Sequence, residues 1–452
     1  MLSDYTIANQ DSGTTELAQG RLDSLITISG AKLPRRPLLW DVSISNGKIA
    51  SIDPHHFNRP DVVHKPGTLE ANGRLLAPSL CHAHIHLDKC FLLQDSKFSD
   101  LEIVKGDFQE AMTLTTKAKA RFEKSDLFRR GRQVVVESIN YGVTSMRAFV
   151  EVDGDVMFKC LDVGLQLKKE FAERCEIQIC AFAQLPLYSG EDDGDLIRKL
   201  MEEAASRDGV DVLGSTPYVE DSEFKEKENV RWISNLALSR SKFLDLHLDY
   251  HLDITKKPLT GYVFDLLRRS NWKEYEGKAI TLGHCTRLTH LKPEEWRRLK
   301  QEIGELPVSF VGLPTSDLFM MRTKEGYRGT LHVPDMIYKY GFQAAIAINN
   351  VGNAFTPQGN CDPLSVASLC VGLYCTGTKS NTELLYDCVS SRAKQVVGLP
   401  SSSLDLKVGE PADFVLFEKA FSKLRTRKSI AEVVYDPIPG RITIRNGKVT
   451  NG

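Results

Sequence analysis

Histidines at the ends of predicted strands could bind a metal ion. The stretch 81–89 reads CHAHIHLDK and places His84 and His86 two residues apart. Alternate residues of a strand point to the same face, so both imidazoles can bind one cation. His247 ends another predicted strand and could supply a third ligand, whereas His82, one step deeper, is expected to pack in the interior. We expect one divalent ion, zinc by preference with iron as the alternative.

The middle of the chain alternates short apolar strands with amphipathic helical stretches. This pattern is typical of βα units around a parallel sheet. The predicted strands are 81–86, 143–150, 177–182, 210–213, 243–248, 279–282, 308–311 and 344–348. The predicted helices include 127–139, 195–205, 227–239, 263–270 and 293–303. Eight units predict an α/β protein with a distorted TIM (β/α)8 barrel, in which chemistry lies where the strands end.

The two ends of the chain predict a small β-domain. Residues 41–52 read DVSISNGKIASI, and residues 441–449 read RITIRNGKV. An Asn-Gly pair between alternating apolar runs is a strong signal for a tight hairpin. We therefore expect residues 1–79 and 401–452 to form one small β-sandwich domain beside a barrel of residues 80–400.

Composition excludes several classes of protein. Hydrophobic residues make up 42% and charged residues 26%, as in ordinary globular proteins. The net charge of -1 without a basic face argues against nucleic acid as a partner. The chain shows no apolar run of about 18 residues and no signal peptide within its first 20 residues, so no membrane association is expected. Ten cysteines without C-x-x-C spacing favour reduced thiols. We expect a cytoplasmic homo-oligomer with a small-molecule substrate.

Taken in order, the motifs resemble the amidohydrolase superfamily, and within it the branch of cytosine deaminase and the triazine amidohydrolases. The resemblance covers nearly the whole chain. It runs through the segments DVSISNGKIASI, HAHIHLDK, GVTSMRAFVEVD, AFAQ, VLGSTP, LHLD, GHC, PTSDL and VGEPADFV. It implies a metal-dependent hydrolase of non-peptide carbon–nitrogen bonds that deaminates or opens a small cyclic amidine or amide.

The resemblance also implies roles for single residues. His84, His86 and His247 would hold the metal, and His284 would face the metal-bound water or the substrate oxygen. Gln184 lies where this branch reads the amide edge of a planar heterocycle, although a glutamine hydrogen-bonded at a strand end is an equal alternative.

Two further residues are candidate substrate contacts. Lys89 follows the histidine motif directly, as either a substrate contact or a salt-bridged residue at the rim. The turn-rich stretch 349–363 after the last strand predicts part of a substrate lid, with Asn353 as a polar contact.

Three positions depart from the family pattern. Asn349 stands in place of the eighth-strand aspartate that binds the metal and takes a proton from water. Tyr250 replaces a proton-shuttling glutamate, and Phe149 replaces a second-strand histidine. An amide carbonyl is a weaker ligand than a carboxylate and is not a base.

The water proton must therefore go elsewhere if the protein is a hydrolase. We expect His284 to accept it, with Asp253 or Tyr250 as alternatives and Asn349 as a hydrogen-bond donor or neutral ligand. The loss of both carboxylates also supports an alternative function: an altered barrel that binds a small ligand or performs an elimination or isomerisation.

Overall fold

The computed structural model describes residues 24–56, 66–270, 272, 278–375, 377–419 and 425–451. These ranges contain sixteen strands and thirteen α-helices. The strands are β1 (Thr27–Lys32), β2 (Leu39–Ser45), β3 (Lys48–Pro54), β4 (Thr68–Glu70), β5 (Leu76–Pro78), β6 (Leu80–His86), β7 (Val143–Glu151), β8 (Glu176–Ala183), β9 (Val210–Ser215), β10 (Phe243–Leu248), β11 (Ile280–His284), β12 (Val308–Gly312), β13 (Ala344–Ile346), β14 (Phe414–Phe417), β15 (Arg441–Arg445) and β16 (Lys448–Val449). The helices are α1 (Phe108–Lys119), α2 (Lys124–Asn140), α3 (Lys159–Glu170), α4 (Asp195–Ala205), α5 (Glu223–Ser239), α6 (Thr260–Arg269), α7 (Pro293–Ile303), α8 (Pro314–Met320), α9 (Val333–Tyr338), α10 (Pro363–Leu373), α11 (Lys379–Cys388), α12 (Ser391–Val396) and α13 (Ile430–Tyr435).

Strands β6 to β13 form one parallel sheet in chain order. Its two edges meet where Ile85 forms a parallel bridge with Asn349. The amide of His86 donates to the Asn349 carbonyl at 2.9 Å, and the amide of Asn349 donates to the His84 carbonyl at 3.2 Å. The predicted (β/α)8 barrel is confirmed, although β13 ends at Ile346, before the predicted 348.

The barrel strands are rich in apolar residues because both of their faces are buried. Every residue of β6 and of β7 is buried. Helices cover the outer face, and side chains from the strands fill the interior, which is the usual environment of parallel strands. Several helices begin at side-chain caps; Asp107, for example, accepts a hydrogen bond from the Glu110 amide at the start of α1.

Both ends of the chain build a second, mainly antiparallel β-domain of two four-stranded sheets, ordered β3-β2-β1-β4 and β16-β15-β14-β5. The predicted Asn-Gly turns have positive φ at both residues, as tight hairpins require: 52° and 70° at Asn46 and Gly47, and 50° and 73° at Asn446 and Gly447. Both turns hydrogen-bond to Ala412, through the Gly47 carbonyl at 2.8 Å and the Gly447 amide at 2.9 Å. The two sheets share one apolar core, which agrees with the predicted small β-domain.

The boundaries at 79/80 and 400/401 stay a prediction. Residues 1–23, including the segment examined for a signal peptide, lie outside the described residues. Among the helices that are described, none combines the length and apolar character needed to cross a bilayer. All ten cysteines lie in described ranges and none of them forms a disulfide there; nine are buried and Cys375 is exposed.

Candidate active site and metal centre

Three buried histidines meet at the carboxyl ends of the barrel strands. His84 and His86 come from β6 and His247 comes from β10; we call them the histidine cluster. One ring nitrogen from each lies within 4.8 Å of the others. The Nε2 atoms of His86 and His247 are 3.4 Å apart. The spacing that predicted a shared cation therefore does bring the three imidazoles together.

A β-bulge in β6 decides which histidines enter the barrel. The register of β6 against β7 shifts between His82 and Ile85. As a result, Nε2 of His82 lies 3.0 Å from the Ser138 hydroxyl of α2, outside the barrel, although His82 has the same strand parity as His84. Bulges commonly re-aim side chains beside active sites. His82 is packed, as expected, but the cause is the bulge, which the alternation of residues along a strand does not predict.

The histidine cluster carries ring nitrogens with no partner in the protein. They are both nitrogens of His84, Nδ1 of His86 and Nδ1 of His247. Burial lowers the pKa of all three imidazoles well below 6.5, so they are neutral near pH 7. Buried polar atoms without partners are costly, and neutral imidazoles have lone pairs to offer. The donor set therefore fits a divalent ion held by three histidines, as in many catalytic zinc sites.

Aromatic rings hold the imidazoles in place. Phe149 stacks on His84 with ring centroids 4.0 Å apart, and Phe182 packs against His247 at 4.3 Å. Phe149, which departs from the family's histidine, thus forms an apolar wall behind the cluster.

His284 belongs to a hydrogen-bonded pair beside the cluster. Its Nδ1 lies 2.8 Å from Oδ1 of Asp317, whose other oxygen accepts a hydrogen bond from the Thr330 hydroxyl at 2.7 Å. Burial raises the pKa of Asp317, and its hydrogen bond with His284 opposes that rise. Since Nδ1 is occupied, Nε2 is the nitrogen left for the pocket.

Asn349 is held as an amide of fixed orientation. Its Nδ2 donates to the Ser316 hydroxyl at 2.8 Å, and that hydroxyl is 2.5 Å from the hydroxyl of Thr356. The Oδ1 atom is buried and has no partner in the protein. The carbonyl oxygen is therefore the atom that Asn349 can offer to a ligand.

The backbone is strained at these strand ends. The φ angles are 48° at Asp249, 65° at His284, 46° at Cys285 and 71° at Asn349. Non-glycine residues in this left-handed region are uncommon and gather at functional sites. Asp249 turns away from the pocket, as its parity predicts, and accepts hydrogen bonds from the amides of Leu259 and Thr260 at the start of α6.

A second buried group, the lysine–carboxylate cluster, consists of Lys89, Lys119, Glu151 and Asp153. Lys89 Nζ lies 2.5 Å and Lys119 Nζ 2.7 Å from the two carboxylate oxygens of Glu151, and Lys119 also pairs with Asp153. Burial alone would raise the pKa of Glu151, but the two ammonium groups lower it to about 2. Lys89 Nζ additionally donates to Oε1 of Gln184 at 3.1 Å.

The clusters border one pocket of about 280 Å³. Its polar lining comprises His86, His247, His284, Asn349, Asn350, Lys89 and Gln184, and its aromatic lining comprises Phe108, Tyr218, Tyr250 and Phe355. Lys89 is salt-bridged, as one of the two alternatives expected, and it also lines the pocket, so its contact with a substrate stays a prediction. The Tyr250 ring lies on His284 with centroids 3.8 Å apart, and burial raises the pKa of its hydroxyl well above 10.

Known proteins share this architecture. No family model matches the chain. N-isopropylammelide isopropyl amidohydrolase of Pseudomonas sp. (strain ADP) is 21% identical over 395 residues, which cover 86% of this chain and 90% of that protein. The structure of 5-methylcytosine deaminase from Klebsiella pneumoniae liganded with 5-fluorocytosine aligns with a TM-score of 0.79 and 21% identity, over 94% of this chain and 96% of the other. The chain is therefore similar to an amidohydrolase over most of its length, and it shares the fold of these deaminases.

The resemblance seen in the sequence to the branch of cytosine deaminase and the triazine amidohydrolases is confirmed. N-isopropylammelide isopropylaminohydrolase from Burkholderia multivorans aligns with a TM-score of 0.73 and 21% identity, over 94% of this chain and 97% of the other. An adenosine deaminase from Xanthomonas campestris with bound zinc aligns with a TM-score of 0.65 and 16% identity, over 94% and 92% of the two chains.

Two candidate residues do not line the pocket. The amide nitrogen of Asn353 donates to the Lys89 carbonyl at 3.1 Å, and its oxygen accepts from the Phe355 and Thr356 amides at 3.0 Å each. Asn353 thus stabilises its own loop. Its side chain does not face the pocket, contrary to the expected role as a substrate contact. Asp253 is exposed and hydrogen-bonds to Thr255, so it is not placed to act as a base.

Sequence reasoning missed the partner of His284 and the aromatic lining. Asp317 lies in the PTSDL segment, and an acidic residue just after a predicted strand end was a usable signal. Phe108, Tyr218 and Phe355 carried no such signal, because apolar residues outside the strands are common throughout the chain.

Proposed function

We propose that this protein is a metal-dependent hydrolase of non-peptide carbon–nitrogen bonds in a small cyclic amidine or amide. The observation that carries the proposal is the histidine cluster: three neutral, buried imidazoles with unpartnered nitrogens, of which His86 and His247 line the pocket. The relatives support it, since their names describe a deaminase and amidohydrolases. We propose zinc as the metal and iron as the alternative.

His84, His86 and His247 would hold the ion, and Asn349 would add a neutral carbonyl oxygen. A divalent ion supplies Lewis-acid activation of water and of the carbon under attack. The protein must then accept a proton. Asn349 cannot, because an amide has no basic lone pair at neutral pH.

His284 is the proposed proton acceptor. Asp317 takes the hydrogen of Nδ1 at 2.8 Å, which leaves an unprotonated Nε2 directed at the pocket. An imidazole base in this position typically contributes about 10²- to 10⁴-fold to rate. The Tyr250 ring, stacked on His284, restricts the orientation of the imidazole.

Gln184 and Lys89 are proposed to orient the substrate. Because Lys89 occupies Oε1 of Gln184, the Gln184 amide nitrogen faces the pocket beside the Tyr218 hydroxyl, and its second hydrogen can be donated to a carbonyl oxygen of the ring. The rings of Phe108 and Phe355 in the same lining suit the face of a flat heterocycle.

The test combines metal analysis with a substrate screen. We expect purified protein to contain about one zinc or iron ion per chain. We also expect it to act on a pyrimidine, a pterin or a triazine, either by releasing ammonia or an amine or by opening the ring. His284→Ala should keep the metal and lose turnover. The proposal is wrong if the metal-loaded protein hydrolyses no member of the three classes.

A second candidate function is favoured by one observation. No carboxylate lines the pocket in the part of the chain that the structure describes. A non-hydrolytic reaction, such as an isomerisation or elimination, would not need to activate water. Turnover in ¹⁸O-labelled water separates the two, because only hydrolysis incorporates the label into the product.

We also propose that the protein works in the cytoplasm as a homo-oligomer. None of its ten cysteines forms a disulfide in the described ranges, which is compatible with a reducing compartment. Cell fractionation tests the location, and light scattering of the purified protein tests the assembly.

A further inference from the structure

The charges that face the pocket are unbalanced. Lys89 is the one charged side chain of fixed sign in the described lining, which includes no carboxylate. The nearest acidic groups are already engaged elsewhere. Both oxygens of Glu151 bind lysines, Asp317 binds His284, and Asp249 caps α6. None of them can turn into the pocket without breaking these contacts.

The metal end of the pocket lacks negative charge as well. Its donors are three neutral imidazoles and the unpartnered carbonyl oxygen of Asn349. A divalent ion held by these groups would keep both of its positive charges. The family pattern places an aspartate at position 349, which would remove one of them.

We propose that the ligand of this pocket is a small planar anion, whose negative group is stabilised by Lys89 and by the uncompensated charge at the histidine cluster. The inference rests on the proposed function, because it names the substrate class of the same site. Either a ring carboxylate or a deprotonated imide provides this chemistry.

The shape of the pocket supports a planar ligand. The Phe108 ring lies 6.1 Å from that of Tyr218, 6.0 Å from that of Tyr250 and 5.9 Å from that of Phe355. These four rings form the aromatic part of the pocket lining.

The donors are oriented for an anion. Lys89 Nζ has three hydrogens, of which Glu151 and Gln184 take two. The third can reach the pocket that Lys89 lines. The Gln184 amide nitrogen adds a neutral donor on the same side.

Calorimetric binding to the zinc-loaded protein tests the proposal with two matched pairs of probes. Orotate is compared with its neutral carboxamide, and barbiturate, an anion near neutral pH, with uracil. We expect the anion of at least one pair to bind about 10- to 100-fold more tightly than its neutral partner, the range of one charge-assisted hydrogen bond. The pair that responds distinguishes a carboxylate from a ring anion.

Two variants locate the effect. Lys89→Met should reduce the preference for the anion about tenfold or more, while Lys117→Gln, an exposed lysine on α1, should leave it unchanged. If Lys89→Met fails to fold, Asn349→Asp gives an independent measurement. It adds a negative charge without disturbing the lysine–carboxylate cluster, and should weaken anion binding about tenfold while neutral rings bind as before or more tightly.

Equal or tighter binding of both neutral probes would overturn the inference, as would an anion preference that survives in both variants. The outcome is separable from that of the proposed function. A protein that hydrolyses neutral rings and does not prefer anions would retain the function and lose the inference. A protein that prefers anions and hydrolyses nothing would retain the inference and lose the proposed function.

Discussion

The histidine cluster and the lysine–carboxylate cluster border the same pocket and are equally buried, yet their polar atoms are used differently. The histidine cluster leaves four ring nitrogens without a protein partner. In the other cluster, all four carboxylate oxygens of Glu151 and Asp153 accept hydrogen bonds. Buried polar groups are normally satisfied within the protein. The comparison indicates that the histidine cluster has atoms free to bind a ligand, whereas the carboxylates of the second cluster stabilise the pocket wall that Lys89 lines.

The largest expected effect is loss of the metal from the first cluster. The double variant His84→Ala, His86→Ala should lower metal affinity at least about 100-fold and abolish turnover, because one imidazole cannot retain the ion. Elemental analysis after dialysis measures this. His82→Asn is the matched control, since His82 lies on the same strand but outside the barrel. Stoichiometric metal in the double variant would remove the proposed site.

A smaller effect is expected when only the proton acceptor is removed. His284→Ala should reduce kcat by about 10²- to 10⁴-fold with the metal still bound. Asp317→Asn should reduce it less, about 10- to 100-fold, because it disturbs the tautomer and orientation of His284 rather than removing the base. Steady-state kinetics beside metal analysis checks both. Full activity in His284→Ala would move the role to another group, with Tyr250 the nearest.

Substitutions in the lysine–carboxylate cluster should lower the free energy of unfolding and leave the metal content unchanged. Glu151→Gln leaves the buried Lys89 without its carboxylate, so we expect a loss of about 3 kcal/mol in the free energy of unfolding at pH 7. The lysines lower the pKa of Glu151 from 4.5 to about 2 in the folded state. The stabilisation is therefore complete above pH 4.5 and is lost as the pH falls toward 2.

Urea denaturation at a series of pH values measures this difference. The wild-type advantage over Glu151→Gln should shrink below pH 4.5, whereas Glu294→Gln, an exposed glutamate on α7, should cost little at any pH. A loss independent of pH, or accompanied by loss of metal, would contradict the assignment of a structural role to this cluster.

The smallest effect is expected outside both clusters. Asp253 is exposed and bonded within its own loop, so Asp253→Asn should change kcat/KM by less than about twofold. A large decrease, with metal retained, would show that the loop moves over the pocket during turnover.

Much of the fold was predictable because it depends on local patterns. The apolar strands and amphipathic helices alternate eight times, and the observed bounds of β10 and α4 equal the predicted ones. The Asn-Gly turns at 46–47 and 446–447 follow from the positive φ that this hairpin needs. The His-x-His spacing fixed the common direction of His84 and His86, since two residues separate equivalent faces of a strand.

The tertiary structure decided what depends on distant residues. The bulge in β6 separates His82 from His84, and it arises from pairing with β7, about 60 residues away in sequence. The contact of His284 with Asp317 crosses from one strand end to the next. The Asn353 side chain points away from the pocket because it hydrogen-bonds to backbone groups of Lys89 and Phe355. The sequence by itself determined which elements form and which side chains could act; only long-range packing determined which polar atoms were left free to bind.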